Sequence, residues 1–310
     1  MWAYIIRRLL LAIPTILGVT IIVFFLFNVV ADDPARTRAG PKATPEQVAA
    51  FAAEMGTDLP KWQQYLRFLE ETATLDFGDS WPNQRPVKEM LLEGLVPSLS
   101  VTLPAFLMAT IFSVSLALFC AFYRDSIIDR TTIIASVAGM SISSLAYIIF
   151  GQFFVAYEWN LLPIFGHEMS LRGVVFLVLP WMIWIVLTIG SEVRFFRTTM
   201  LEEMGQDYAR TAAAKGLGPR AILFKHILKN AMIPVITRVV ITIPFLFVGS
   251  LLLEKFFGIP GLGDLSIQAI FENDFPVIKA ITIFGALLFI LFNLISDLLY
   301  AVVDPRVRLK

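Results

Sequence analysis

Long apolar blocks, each nearly free of charge, alternate with polar segments along the 310 residues of the chain. The first block, residues 9–30 (LLLAIPTILGVTIIVFFLFNVV), is uncharged and follows Arg7 and Arg8. About 20 such residues cross a hydrocarbon core of about 30 Å as a helix. Charge-free runs over 95–123, 131–157 and 173–190 repeat the pattern, as do shorter runs over 239–253 and 280–296, bordered by Arg238 and Asp297. Six transmembrane helices are therefore predicted, the last two reaching full length because helix-end charges snorkel to the interface. The rival for the first run is a cleaved signal peptide. Its apolar core is normally about 7–15 residues and ends in a small-x-small site; the run here is longer and no such site precedes Asp32.

Composition agrees with an all-α integral membrane protein: 57% hydrophobic and 16% charged residues, against soluble norms of about 45–50% and about 25%. Lys plus Arg and Asp plus Glu both number 25, so no net charge points to nucleic acid. The distribution says more. Taking Arg7 and Arg8 as inside, segments 1–8, 124–130, 191–238 and 302–310 hold fifteen Lys or Arg, while 158–172 and 254–279 hold three. The positive-inside rule then puts both termini in the cytoplasm. The lone Cys120 permits no disulfide or CxxC pair.

Three parts follow: a tail and first helix over 1–30, an external segment over 31–94, and a five-helix core over 95–310. The external segment has seven basic and eleven acidic residues, several prolines and an amphipathic piece, Lys61–Leu69. It reads as a small ordered domain, either a docking surface or a passive insert.

The longest inside loop, 191–232, carries a capping signal at Thr199-Met200-Leu201-Glu202, which predicts a helix start there. That helix runs through Tyr208 and Arg210 to Lys215 and stops at Gly216, a residue that accepts the left-handed conformation of helix ends. Pro219 opens a second helix. Leu223, Phe224, Ile227, Leu228 and Ala231 share one of its faces, so it is expected to lie along the membrane surface. The result is a helix, an elbow and a helix. The pattern fits a lever pushed by another protein or a surface-lying re-entry segment.

Within this loop, DYARTAAAKGLGPRAILFKHILKNAMIPV (207–235) resembles the cytoplasmic signature of ABC-importer membrane subunits, in the variant of dipeptide and oligopeptide permeases. IRRLLLAIPTILGVTIIVF (6–24), DFGDSWPNQRPVKEMLLEGLVPSLSVTLP (76–104), LLLEKFFGIPGLGDLSIQAIFENDFPVI (251–278) and NLISDLLYAVVDPRVRL (293–309) are similar to that family's first permease subunit. Arg210-Thr211-Ala212 stands where the general signature has Glu-Ala-Ala, its proline appears at Pro234 rather than near Lys229, and Ser143 replaces a proline common in the third span.

The resemblance implies a type I importer permease fold and, for this chain, half of a translocation pathway for peptides or similar small solutes. It implies as partners a homologous second permease, two ATPase subunits, an external substrate-binding protein and membrane lipid. It places ATPase coupling on Asp207, Tyr208, Arg210, Thr211, Ala212, Ala213, Lys215, Gly216 and Leu217. Glu254, Phe257, Pro260, Gly261 and Gly263 would form a re-entrant external gate; the plain alternative is an interfacial loop with a tight turn. Nickel chelates and oligosaccharides are alternative cargoes. No GxxxxGK[ST] loop is present, so no cofactor is expected on this chain, with ATP and magnesium held by partners.

Two rival classes read poorly. An intramembrane protease needs a nucleophile and base or metal ligands, yet the two histidines, His167 and His226, lie in loops on opposite sides. Ser141, Ser143 and Ser144 suit helix packing or backbone hydrogen bonding, and Trp181 and Trp184 suit lipid or packing contacts. An ion-coupled secondary transporter needs buried acids; the acid near a span is Asp297, one turn from Asn293, read as an inner-end polar contact. No inverted repeat is evident.

Overall fold

The computed structural model describes residues 2–30, 33–40 and 42–303, excepting the side chains of residues 2–5, 8, 9 and 297–303. Apart from one isolated bridge between Asp79 and Pro86, regular structure among the described residues is helical. The helices are α1 (Trp2–Phe25), α2 (Pro34–Ala39), α3 (Pro45–Met55), α4 (Lys61–Thr74), α5 (Val87–Phe122), α6 (Ile127–Met140), α7 (Ser144–Phe150) and α8 (Val174–Met204). They continue with α9 (Asp207–Ala214), α10 (Pro219–Ala221), α11 (Leu228–Val248), α12 (Leu251–Phe257), α13 (Leu262–Glu272) and α14 (Phe275–Val303). Wider i→i+5 turns extend α1 to Val30 and α7 to Glu158, and join α10 to α11.

Five stretches are long and apolar enough to cross a bilayer: Leu10–Val30, Val87–Phe122, Val174–Met204, Pro219–Val248 and Phe275–Ser296. The third predicted span is two helices, Ile127–Met140 and Ser144–Glu158, meeting at 95°. Six crossings result only if that bent pair counts as one. The break has a local cause despite the absent proline. The Ser141 hydroxyl donates back to the Val137 carbonyl at 2.9 Å, the competition that bends serine-containing helices, and Ser143 is extended at φ −61°, ψ 141°. The Tyr147 hydroxyl spans the elbow, donating to the Gly139 carbonyl at 2.9 Å.

Other boundaries also differ from the sequence pattern. The second crossing helix begins at Val87, within the segment read as external, because Pro86 precedes it and the Val87 amide donates to the Gly78 carbonyl at 3.0 Å. The fifth ends at Val248, and the remaining apolar residues form α12 after a break at Gly249, whose φ is +84°. No separate surface helix precedes it, since Pro219–Val248 is one continuous stretch.

The chain divides into two compact units. The first takes in the described residues up to Ser98, Phe247–Leu251 and those from Pro260 onward. Its core joins Val23 and Phe24 of α1, Phe68 of α4, Phe77, Val87, Ala269 and the α14 residues Val277, Ala280, Ile281 and Ile283. The external segment thus shares a core with three crossing helices, α1, the start of α5 and α14. Its helices start as their sequence dictates: Asp33 caps α2 by accepting from the Ala35 amide, and Thr44 with Gln47 forms a capping box on α3. The buried Gln64 amide donates to the Thr57 and Leu59 carbonyls, both at 2.7 Å. Lys279 of α14 meets Glu71 of α4 at 2.7 Å, and buried Asp274 accepts from the Ser80 hydroxyl at 2.6 Å.

The second unit comprises Leu99–Leu246 and Leu252–Ile259. Here α6 lies against α8 at Gly190, where an added Cβ would come within 2.8 Å of the Ser136 carbonyl. Phe196 and Met200 of α8 pack with Ala117 and Ala121 of α5 and with Leu223, Ile227, Ala231 and Val235.

Candidate coupling segment and gate

The candidate coupling segment follows the end of α8. Thr199 is not a helix cap; it is buried within α8 and its hydroxyl donates to the Phe195 carbonyl at 3.1 Å. The apolar face formed by Val193, Phe196 and Met200 carries the helix past the capping motif to Gly205. Gln206 turns extended, and α9 begins at Asp207. It ends as expected: Gly216 has φ +82°, its amide donates to the Ala213 carbonyl at 2.9 Å and that of Leu217 to the Ala212 carbonyl at 3.3 Å. Pro219 then occupies the first turn of α10.

The nine predicted coupling residues divide by face. Ala212 is buried, as is Ala209 beside it, and α9 packs through this face against the 222–227 turn. Asp207, Arg210, Thr211, Ala213, Lys215, Gly216 and Leu217 are exposed. Asp207 and Arg210 approach to 3.5 Å on that open face, a pairing worth little in water. Tyr208 is half-buried and points inward. Its hydroxyl donates to Glu203 Oε2 at 2.5 Å and also neighbours Asn230. Burial and the Glu203 carboxylate push the Tyr208 phenol up to about 12, so it stays a proton donor at physiological pH. Glu203 lies at the end of α8 and Asn230 on α11, so one side chain of α9 reaches both flanking helices.

Sequence reading missed a bidentate ion pair of this unit whose carboxylate is buried. Arg197 of α8 grips Asp129 of α6 with two hydrogen bonds, at 2.5 and 2.6 Å, and Asp129 is 1% exposed. The Asp125 amide also donates to Asp129, and Ser126 caps α6 by accepting from the Asp129 amide. Ser126 preceding Asp129 by three was the available signal; its partner Arg197 is 68 residues away in sequence.

The predicted gate residues fall in both units. In the second unit, Glu254 and Phe257 of α12 are buried, at 0% and 1% exposure. The Phe257 carbonyl accepts from the Gly166 amide at 2.8 Å, and Gln152 donates to the Phe256 and Ile164 carbonyls. In the first unit, Pro260 is exposed, Gly261 and Gly263 are buried, and the Leu262 amide donates to the buried Ser98 hydroxyl at 2.7 Å. Gly94 of α5 lies so near Gly261 that a Cβ there would sit 3.2 Å from the Gly261 carbonyl carbon. With 7 and 11 residues, α12 and α13 fall short of the about 20 that a crossing helix needs.

Asn293 is half-buried on α14, while the Asp297 side chain lies outside the described residues. Trp181 donates to the Ser100 carbonyl at 3.1 Å and packs, with Trp184, against the core around Leu179 and Ile183. Among the described residues no three His, Cys, Asp or Glu side chains gather as metal ligands.

Residues 1–102 match the N-terminal part of binding-protein-dependent transport system membrane components, and residues 113–309 match the binding-protein-dependent transport system inner membrane component. The chain belongs to this permease family. The permease is 34% identical over 316 residues to the "Glutathione transport system permease protein GsiC" of Salmonella paratyphi A, covering 99% of each chain. The same protein of Escherichia coli K12 gives the same figures, and that of Shigella flexneri serotype 5b is 34% identical over 314 residues.

Membership selects the ATP-driven reading over ion-coupled secondary transport and over an enzyme; ATP hydrolysis belongs to partner ATPases. The permease is a multi-pass inner-membrane protein of a binding-protein-dependent ABC importer, a role that implies a partner permease, an ATPase and a substrate-binding protein.

Proposed function

We propose that the permease forms half of a pathway for short peptides or peptide-like solutes, driven from its α9 elbow. The carrying observation is the two-faced α9: Ala209, Ala212 and Tyr208 turn inward, while Asp207, Arg210, Lys215 and Leu217 are exposed. A short helix held this way passes a push on its open face to α8 and α11 as a rigid-body movement. The open face would seat in one of two ATPase subunits, which hold ATP and magnesium. Both termini would then be cytoplasmic, a reading supported by the basic-residue count and testable with reporters fused to each end. Charge-reversing Arg210 and Lys215 together is expected to detach the ATPases while membrane levels hold; unaltered copurification of the ATPases overturns the assignment.

On the opposite side, residues 251–263 would act as the external gate. The external segment would receive the binding protein, with Trp62 and Leu66 of α4, 63% and 55% exposed and one turn apart, as its apolar contact. The relatives' printed role in glutathione transport supports a peptide-like cargo, since glutathione is a tripeptide. Titrating the partner binding protein with glutathione, dipeptides, nickel chelates and oligosaccharides tests this; tight binding of only the last two overturns it.

A further inference from the structure

Next to the candidate coupling elbow, the end of α5 and the start of the fifth crossing stretch border an open groove of about 420 Å³, within the range of about 300–1,000 Å³ typical of ligand sites. Leu118, Phe119, Phe122 and Phe224 supply its apolar wall, with Tyr123 and Arg220 at its edge. Phe224 and Phe119 are open, at 59% and 44% exposure. Arg220 is exposed and has no hydrogen-bond or ion-pair partner among the described residues. It precedes Phe224 by four positions, and both side chains line the groove.

The level of the groove follows from its own residues. The apolar run of α5 ends at Phe122, and Tyr123 and Arg124 follow, the aromatic-then-basic order of a membrane interface. The neighbouring acids are already engaged: Asp125 with Arg124 at 3.4 Å, and Asp129 with Arg197. Arg220 makes the rim positive while the wall is apolar. That combination matches an amphiphile with an anionic head and a hydrocarbon tail.

We propose that this groove holds an acidic phospholipid, its phosphate against Arg220 and one acyl chain along Leu118, Phe119, Phe122 and Phe224. A bound lipid would then pack against the same helix that Tyr208 and Ala212 help to position, making transport sensitive to the leaflet's charge.

The test uses the assembled importer carrying a benzophenone amino acid in place of Phe224, in nanodiscs of phosphatidylcholine mixed equally with phosphatidylglycerol. Irradiation is expected to yield a phospholipid adduct by intact mass, favouring phosphatidylglycerol about fivefold, the ratio that one basic residue near an anionic surface is worth. Arg220→Gln should bring the ratio to parity, and Arg220→Lys should keep most of it. Cross-linking to an ATPase or permease subunit in place of lipid, equal capture of both lipids, or a preference unchanged by Arg220→Gln would each overturn the proposal.

Discussion

Arg197 Nε and one terminal nitrogen hold both carboxylate oxygens of Asp129, so α8 is clamped to the first turn of α6 by a buried, fork-shaped ion pair. Bidentate geometry fixes orientation as well as charge. Removing one partner strands the other charge away from water, which costs more than removing both. Arg197→Ala is expected to destabilise the permease by about 3–5 kcal/mol. Pairing Arg197→Met with Asp129→Leu should recover much of that loss. Thermal unfolding of the detergent-solubilised complex reads the difference; a double variant as unstable as Arg197→Ala alone would refute the clamp.

Tyr208 tests whether the elbow transmits force. Tyr208→Phe keeps the ring and removes the hydroxyl bond to Glu203, a bond to a charged group worth about 1.5–3 kcal/mol. Assembly with the ATPases should persist, while ATP hydrolysed per solute imported rises severalfold. An unchanged ratio in proteoliposomes would mean the hydroxyl carries no coupling.

At Gly216 nothing lies within 4 Å of where a Cβ would stand, so only the backbone objects to substitution. With φ at +82°, Gly216→Val should cost about 1–3 kcal/mol of local strain and abolish transport, whereas Gly216→Asn should retain it, because Asn tolerates this region. Equal activity of the two variants in an uptake assay would rule out the conformational requirement.

Deleting much of residues 31–94 would empty the core around Phe68, so docking is better probed at the surface. Trp62→Glu should weaken delivery by the binding protein about 30-fold, the size of an interface hot spot of about 2 kcal/mol, with basal ATPase activity unchanged. Parallel loss of both activities would indicate misfolding rather than docking.

His167 lies in the loop between the third and fourth crossings, and its Nε2 is buried without a hydrogen-bond partner among the described residues. Burial lowers its pKa below the usual 6.5. The unfolded chain therefore takes up the proton first as pH falls. The stability contribution is complete above the unfolded value and is lost as pH drops through about 6.5 toward the folded value. His167→Gln should flatten the melting temperature between about pH 7 and pH 5. A slope equal to wild type would exclude His167 as its source.

Much of this architecture was written in one-dimensional pattern. The apolar runs locate the crossings, and Gly216 with Pro219 locates the elbow, because a left-handed stop and a proline start act within a few residues. Thr199 misled for the opposite reason: its capping motif is local, while the buried stripe of Phe196 and Met200 is tertiary and keeps α8 intact. The two faces of α9, the pairing of Asp129 with Arg197 and the bend at Ser141 each depend on neighbours distant in sequence.

The serine elbow reaches past its own geometry. It falls near the middle of the apolar run 131–157, and Ser141, Ile142 and Ser143 are all exposed on the isolated chain. Hydrocarbon cannot satisfy the main-chain groups that a 95° break releases from the helix ladder. Lipid tails are thus the wrong neighbour for this spot. Turn bonds from the Ser141 and Ile142 amides and the Tyr147 hydroxyl meet part of that demand inside the chain, and a polar neighbour, protein or water, suits the exposed remainder better than an acyl chain does.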